Sequence, residues 1–121
     1  MSAVLKTLDY HAIMENILFH PAWHGKIRGL DAEKKLQTFK KPYLYLLRAG
    51  EQETEYEADY YLSFILPDYS VRHQPFVITV TCEGWCFANG GSGGPYTHAS
   101  IDEVIHLIMH CRQDQCVPFK K

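Results

Sequence analysis

Apolar residues recur at helical spacing in three segments of the chain. The first covers residues 9–19, and Pro21 ends its periodic run. The second covers residues 30–39, where apolar positions alternate with lysines on a solvated face. The third begins at Ser100, which forms the sequence signature of a capping box with Glu103. The pattern therefore predicts an N-terminal helix, a second amphipathic helix and a C-terminal helix.

Continuous apolar runs between the second and third helices are typical of strands that are covered on both faces. The predicted strands are residues 43–47, 60–66, 76–81 and a short fourth at 85–87. Acidic and glycine-rich loops separate them, so three to four antiparallel strands are expected. The sequence thus predicts an α+β fold, with a central antiparallel sheet flanked by two helices and an extra N-terminal helix.

Length and charge narrow the class of protein. With 121 residues, 46% of them hydrophobic, the chain can bury one core, which predicts a single domain. Its 12 Lys and Arg residues against 14 Asp and Glu residues leave a net charge of -2, which disfavours a nucleic-acid partner. No apolar run approaches the roughly 18 residues of a membrane span, and no signal peptide is recognised. We therefore expect a cytoplasmic monomer that binds neither nucleic acid nor membrane.

The cysteines raise the alternatives of a metal site and of thiol chemistry. They are spaced as C-x3-C and C-x4-C, and two histidines lie near the second pair. The residues are Cys82, Cys86, Cys111, Cys116, His106 and His110. The spacing departs from that of zinc knuckles, so we expect reduced thiols and no metal or cofactor. An enzyme with a cysteine nucleophile and a histidine base is the remaining alternative, but no supporting signature surrounds these residues, and we expect no catalysis.

Arg48 stands at the end of the most apolar predicted strand. A guanidinium removed from water costs on the order of several kcal/mol unless an anion and hydrogen bonds compensate it. One source of that anion is internal, because an acidic loop follows at once. Its members are Glu51, Glu53, Glu55, Glu57 and Asp59. The other source is a ligand carboxylate or phosphate, which the guanidinium can hold through two parallel hydrogen bonds.

Short motifs along the chain resemble, in the same order, those of the Src-homology 2 (SH2) domain. Residues 23–27, followed by a short helix, resemble its opening strand. Residues 45–48, Tyr-Leu-Leu-Arg, resemble its Phe-Leu-Val-Arg strand, whose arginine forms the floor of the phosphotyrosine pocket. Later matches are residues 61–64, 71–73, 84–87, 96–97 and 100–108. The resemblance implies an SH2-like domain over residues 21–119, preceded by a helical extension at 1–20.

A phosphotyrosine pocket around Arg48, which binds without catalysis, is what this resemblance implies. In it, His73 lines the ring, and the loop of residues 49–59 supplies backbone N–H groups and a hydroxyl. The implied phosphotyrosine-binding residues are Arg48, Arg28, Thr54, His73, Gly50 and Glu51. Arg28 takes the place of an arginine that the family often has at the start of its first helix, where this chain has Gly29.

Other positions depart from the family pattern. Gly50 stands where the family usually has a serine, two residues beyond the phosphate-binding arginine. The loop after it is longer and carries five carboxylates, which would have to point outward for a phosphate to bind. Pro75 replaces a common lysine and is expected to interrupt the strand after His73.

The resemblance also implies a second surface, which binds peptide residues after the phosphotyrosine. Its implied residues are Gln74, Phe87, Gly93, Gly94 and Tyr96. The long glycine-rich loop of residues 88–95 must be ordered before it grips a side chain, so we expect a loose sequence preference. The expected partners are tyrosine-phosphorylated proteins or peptides, and one hypothesis is a bacterial effector that meets them in the host cytosol. The alternative function is a degenerate SH2-like structural or docking domain whose Arg48 is paired internally.

Overall fold

The computed structural model describes residues 14–54, 57–81, 84–88, 96–97 and 101–120, with the backbone alone for residues 80–81, 84–88 and 96–97. The helices are α1, Gly29–Gln37, and α2, Ile101–Met109, and the 3-10 helix Gln113–Gln115 follows α2. The strands are β1, Leu44–Glu53; β2, Glu57–Ile65; β3, Val71–Thr81; β4, Gly84–Ala88; β5, Tyr96–Thr97; and β6, Val117–Pro118. Residues 14–18 are helical as well, whereas the rest of the predicted N-terminal helix and Ser100 lie outside the described residues.

All six strands form one sheet in the order β5-β4-β3-β2-β1-β6. Neighbouring strands are antiparallel except β1 and β6, which run parallel. The fold is therefore α+β with a mixed sheet. The central strands are antiparallel, as predicted, but the parallel edge strand β6 was not predicted. The reason is that β6 has only two residues, too few for any periodicity to be visible in the sequence.

The alternation of side chains along β1 divides the core into two layers, one on each face of the sheet. Leu44 and Leu46 pack with Ala32 and Leu36 of α1. Tyr45 and Leu47 point to the opposite face, where they pack with four apolar side chains of α2. These four are Ile101, Val104, Ile105 and Ile108. The sheet is therefore covered by α1 on one face and by α2 on the other, as the sequence predicted, and Ile17 of the helical residues 14–18 also packs on the α2 face. Arg48 follows Leu46 on the face that α1 covers.

The outer edge of β1 is covered along most of its length. β6 pairs with its beginning, through Leu44 and Tyr45. Residues 22–25 run parallel to its middle, where the Leu47 N–H donates to Ala22 O over 2.8 Å and the Ala49 N–H donates to Gly25 O over 2.9 Å. Two segments that are far apart in sequence thus complete the hydrogen bonding of this strand.

Strand β3 continues through Pro75, so the expected interruption after His73 is wrong. Pro75 pairs with Tyr61 of β2 on one side. On the other side, β4 pairs with Val77 and the residues after it, so among the described residues no strand pairs with this edge of β3 at Pro75. A proline, which lacks an N–H donor, is tolerated at such an edge.

Candidate functional site

The guanidinium of Arg48 is the buried charge around which the candidate site is built. Arg48 is only 8% exposed, and it faces Tyr61 directly across the β1–β2 pair. Its Cζ atom lies 4.3 Å from the centroid of the Tyr61 ring, a cation–π distance. The strand register therefore fixes one flat side of the guanidinium against an aromatic ring.

A chain of hydrogen bonds connects Arg48 to α1. Arg48 Nε donates to Ser63 Oγ over 3.1 Å, and Ser63 Oγ lies 2.7 Å from His73 Nδ1. His73 Nε2 lies 2.9 Å from Glu33 Oε1, on α1. A carboxylate can only accept, so Nε2 carries a proton. Arg48 Nη2, which can only donate, lies 3.3 Å from Nδ1 and requires Nδ1 to be an acceptor. In this network Nδ1 accepts and Nε2 donates, so His73 links Ser63 and Arg48 to Glu33.

No carboxylate pairs with the Arg48 guanidinium among the residues that the structure describes. Of the five acidic residues that follow it, Glu55 lies outside that part, and the other four make no ion pair with Arg48. Burial lowers the pKa of Arg48 from its ordinary value, and the neighbouring Tyr61 offsets part of that effect. An arginine remains charged under these conditions, so the site keeps a buried cation.

Gly29, the first residue of α1, lies next to the guanidinium on the helix side. A Cβ atom built at this position would lie 3.4 Å from Arg48 Nη2 and 3.8 Å from the His73 ring. Any side chain longer than alanine would therefore extend over the two groups. The absence of a side chain at Gly29 therefore lets α1 lie this close to Arg48 and His73.

The segment after Arg48, predicted as a loop, is for the most part a β-hairpin with an irregular register. β1 extends to Glu53 and β2 begins at Glu57. The pairing passes from Ala49 opposite Tyr60 to Glu53 opposite Ala58, which makes residues 50–52 a bulge. The prediction of an open loop at 49–59 is therefore wrong over most of its length.

The carboxylate of Asp59 fills this bulge. Both of its oxygens accept from the Glu51 N–H, over 3.1 and 3.0 Å, and Oδ1 also accepts from the Gln52 N–H over 2.6 Å. A Cβ atom at Gly50 would lie 2.4 Å from the backbone oxygen of Asp59 and equally close to its side chain. Glycine is therefore required at position 50, where the serine of the SH2 pattern would not fit.

Some of the predicted phosphotyrosine-binding residues are directed elsewhere. The structure brings His73 into direct contact with Arg48 but turns Arg28 to the surface, where its Nε donates to Asp31 over 3.2 Å. The side chain of Arg28 is 79% exposed. The Thr54 hydroxyl donates to the carbonyl of Glu57 within the hairpin turn. Neither side chain therefore donates a hydrogen bond into the site around Arg48.

The predicted peptide-binding residues are placed only in part. Gln74 is half-buried on β3, and its amide donates to the carbonyl of Pro75. Phe87 and Tyr96 pair with each other across β4 and β5. Gly93 and Gly94 lie outside the described residues. The sequence prediction for this surface therefore stays a prediction.

Three residues of the site were not predicted from the sequence, namely Ser63, Tyr61 and Glu33. Ser63, on β2, is completely buried within the apolar run of residues 60–66, which is an unusual place for a hydroxyl. A single polar residue within an apolar run is the feature of the sequence from which Ser63 could have been predicted as a site residue. Tyr61 and Glu33 carry no such signal, because only the strand register and the position of α1 bring them to Arg48 and His73.

Two of the four cysteine side chains, those of Cys111 and Cys116, are described by the structure. Cys111 and Cys116 are free, and their sulfurs lie 3.4 Å apart. Burial, followed by the hydrogen bond with Cys111, raises the pKa of Cys116 to about 12, which is opposite to the shift that activates a nucleophilic thiol. His106 Nδ1 lies beside the carbonyl oxygen of Cys111 and not beside its thiol. Cys82 is outside the described residues.

Within the described ranges, no three His, Cys, Asp or Glu side chains lie together in a way that would hold a metal ion. The helices described here include none that is both long enough and apolar enough to cross a membrane. No protein-family model matches the chain, and no curated protein is significantly similar to it.

Proposed function

We propose that the chain binds phosphotyrosine in proteins or peptides, without catalysis, through Arg48 and the side chains around it. The observation that carries this proposal is a buried guanidinium with no carboxylate partner among the described residues. A buried cation is costly unless an anion neutralises it. A ligand phosphate would supply that anion.

The donors of Arg48 suit a phosphoryl group. Nε and Nη2 are directed to Ser63 and His73, whereas Nη1 has no protein acceptor among the described residues. A phosphate oxygen can accept from Nη1, and a second oxygen can accept from the remaining N–H of Nη2. Hydrogen bonds of this charge-assisted kind contribute about 1.5–3 kcal/mol each.

The recessed position of Arg48 favours phosphotyrosine over phosphoserine. A phosphoserine phosphate lies close to its own backbone, so it reaches a buried guanidinium only if the peptide backbone enters the protein as well. A phosphotyrosine extends its phosphate by the length of an aromatic ring, and His73 lies beside Arg48 to contact that ring. The resemblance of residues 45–48 and 71–73 to SH2 motifs supports the same ligand.

Calorimetry with a tyrosine-phosphorylated peptide tests the proposal. We expect the wild type to bind this peptide and to bind neither its unphosphorylated nor its phosphoserine form. Arg48→Ala should abolish binding, and Arg48→Lys should fail nearly as badly because one ammonium cannot reproduce the planar fork of donors.

Arg112→Ala is a matched control, since it removes an arginine that is 76% exposed and paired with Asp114 at a distance in sequence from β1–β3. This variant should bind as the wild type does. Unchanged affinity in a folded Arg48→Ala variant would show that Arg48 does not bind the phosphate, and the proposal would then be wrong.

A further inference from the structure

The bulge at residues 50–52 presents two backbone N–H groups to one anion. Glu51 and Gln52 direct their N–H groups to the same carboxylate, that of Asp59, at the distances given above. Converging backbone N–H groups of this kind form anion-binding concavities in proteins. The bulge is therefore an anion site that the protein fills with its own side chain.

The position of this anion relates it to the phosphotyrosine site. The bulge begins two residues after Arg48 on β1, and Asp59 lies two residues before Tyr61 on β2. Side chains two apart on a strand share a face, so Asp59 and Tyr61 are on the face that carries the guanidinium.

We infer that Asp59 is a built-in competitor of the ligand phosphate for the N–H groups of Glu51 and Gln52. This inference rests on the proposed function. In the free protein the Asp59 carboxylate satisfies both donors. When a phosphotyrosine binds at Arg48, its phosphate oxygens take over the two N–H groups, and the Asp59 side chain swings out towards solvent. Asp59 therefore lowers the affinity and excludes weaker anions.

Neutralising the competitor without changing its shape should strengthen binding. In Asp59→Asn the amide oxygen still accepts from the bulge, but without the charge that makes such hydrogen bonds strong. We expect this variant to bind a phosphotyrosine peptide about fivefold more tightly than the wild type. The measurement is calorimetry on the full chain at one ionic strength.

Asp68→Asn is the matched control. Asp68 lies in the turn after β2, accepts from the backbone N–H of Ser70 over 3.0 Å and is exposed, so its replacement removes the same charge and the same kind of hydrogen bond. It should leave the affinity unchanged. Equal affinities of the Asp59→Asn and Asp68→Asn variants, or weaker binding by Asp59→Asn, would overturn the inference.

A second measurement uses the wild-type protein, so its result does not depend on whether a variant folds. The amide resonances of Glu51 and Gln52 should move on titration with the phosphotyrosine peptide, because their acceptor changes from carboxylate to phosphate. Resonances that stay in place while the peptide binds would show that Asp59 is never displaced. Loss of binding in Arg48→Ala, together with stationary amides, would retain the proposed function and reject this inference. Absence of binding by the wild type would reject both.

Discussion

Ser63 Oγ, which is completely buried, accepts a hydrogen bond from Arg48 Nε over 3.1 Å. The same oxygen donates its proton to His73 Nδ1, so one hydroxyl orients both the cation and the imidazole. The direction of the guanidinium therefore depends on a residue that need not contact a ligand.

Replacing Ser63 by alanine should destabilise the fold and weaken binding together. The buried Nε–H of Arg48 would lose its acceptor, which costs about 1–3 kcal/mol of unfolding free energy. Urea denaturation measures this loss, and calorimetry with the phosphotyrosine peptide measures the effect on affinity. Ser70→Ala removes an exposed hydroxyl that donates to Asp68 and serves as the control. Equal stability of the two variants would contradict the role given to Ser63.

Side chains of increasing size at Gly29 should progressively close the site. A Cβ atom here lies at ordinary contact distance from Arg48 Nη2, so Gly29→Ala should fold normally and bind nearly as the wild type does. Gly29→Leu places further carbons over the guanidinium, and we expect a loss of affinity of at least about tenfold, or 1.4 kcal/mol. If the leucine variant binds as tightly as the alanine variant, the ligand does not approach from the α1 side.

Gly50→Ala should destabilise the hairpin for a steric reason. The added Cβ atom would meet the backbone oxygen of Asp59 at 2.4 Å, and backbone cannot move aside as a flexible side chain can. Overpacking of this kind costs about 1–3 kcal/mol. Thermal or urea denaturation should show the loss, whereas Gly29→Ala, with no such contact, should not. If the Gly50→Ala variant is as stable as the wild type, Asp59 does not lie against Gly50 in solution.

Cys116 should react slowly with iodoacetamide at neutral pH. Only the thiolate is nucleophilic, and a pKa of about 12 keeps this thiol protonated, so its rate should rise about tenfold per pH unit from pH 7 to pH 10. Trypsin cleavage after Arg112 separates Cys111 from Cys116, so mass spectrometry can follow each one. A rate that levels off near pH 9 would show an ordinary thiol.

The raised pKa of Cys116 also predicts how the free energy of unfolding changes at alkaline pH. An unfolded cysteine ionises near its ordinary pKa of 9.0, whereas folded Cys116 keeps its proton until about pH 12. Between these values the unfolded state binds fewer protons, so the contribution of Cys116 to stability falls as the pH rises.

The sequence was sufficient to predict the features that depend on local pattern. The apolar run at residues 43–47 placed β1, and the charge at its end identified Arg48 before any contact was known. Helical spacing predicted α1 to within two residues at each end. His73 was predicted as a site residue because its strand resembles an SH2 motif, and the structure places it beside Arg48.

The remaining features depend on register and on competition between hydrogen-bond partners. Ser63 meets Arg48 because of how β1 and β2 align, and a shift of one residue would turn it to the other face. Arg28 was expected to face Arg48, but Asp31, three residues away on the same helix surface, holds it outside. Asp59 fills the bulge because a nearby carboxylate satisfies two N–H groups that the partner strand leaves unpaired.

The two segments that cover the outer edge of β1 also decide when this strand can form and when it can open. The Leu47 and Ala49 N–H groups are protected only when residues 22–25 have packed against β1. The start of β1 is protected only when β6, which is distant in sequence, has paired with it. Such long-range closure slows folding, because the entropy of ordering the intervening chain is lost first. It also means that β1 cannot fray from one side without losing one of these segments. The amide hydrogens of Leu47 and Ala49, the residues on either side of Arg48, should therefore exchange with solvent only through large-scale unfolding.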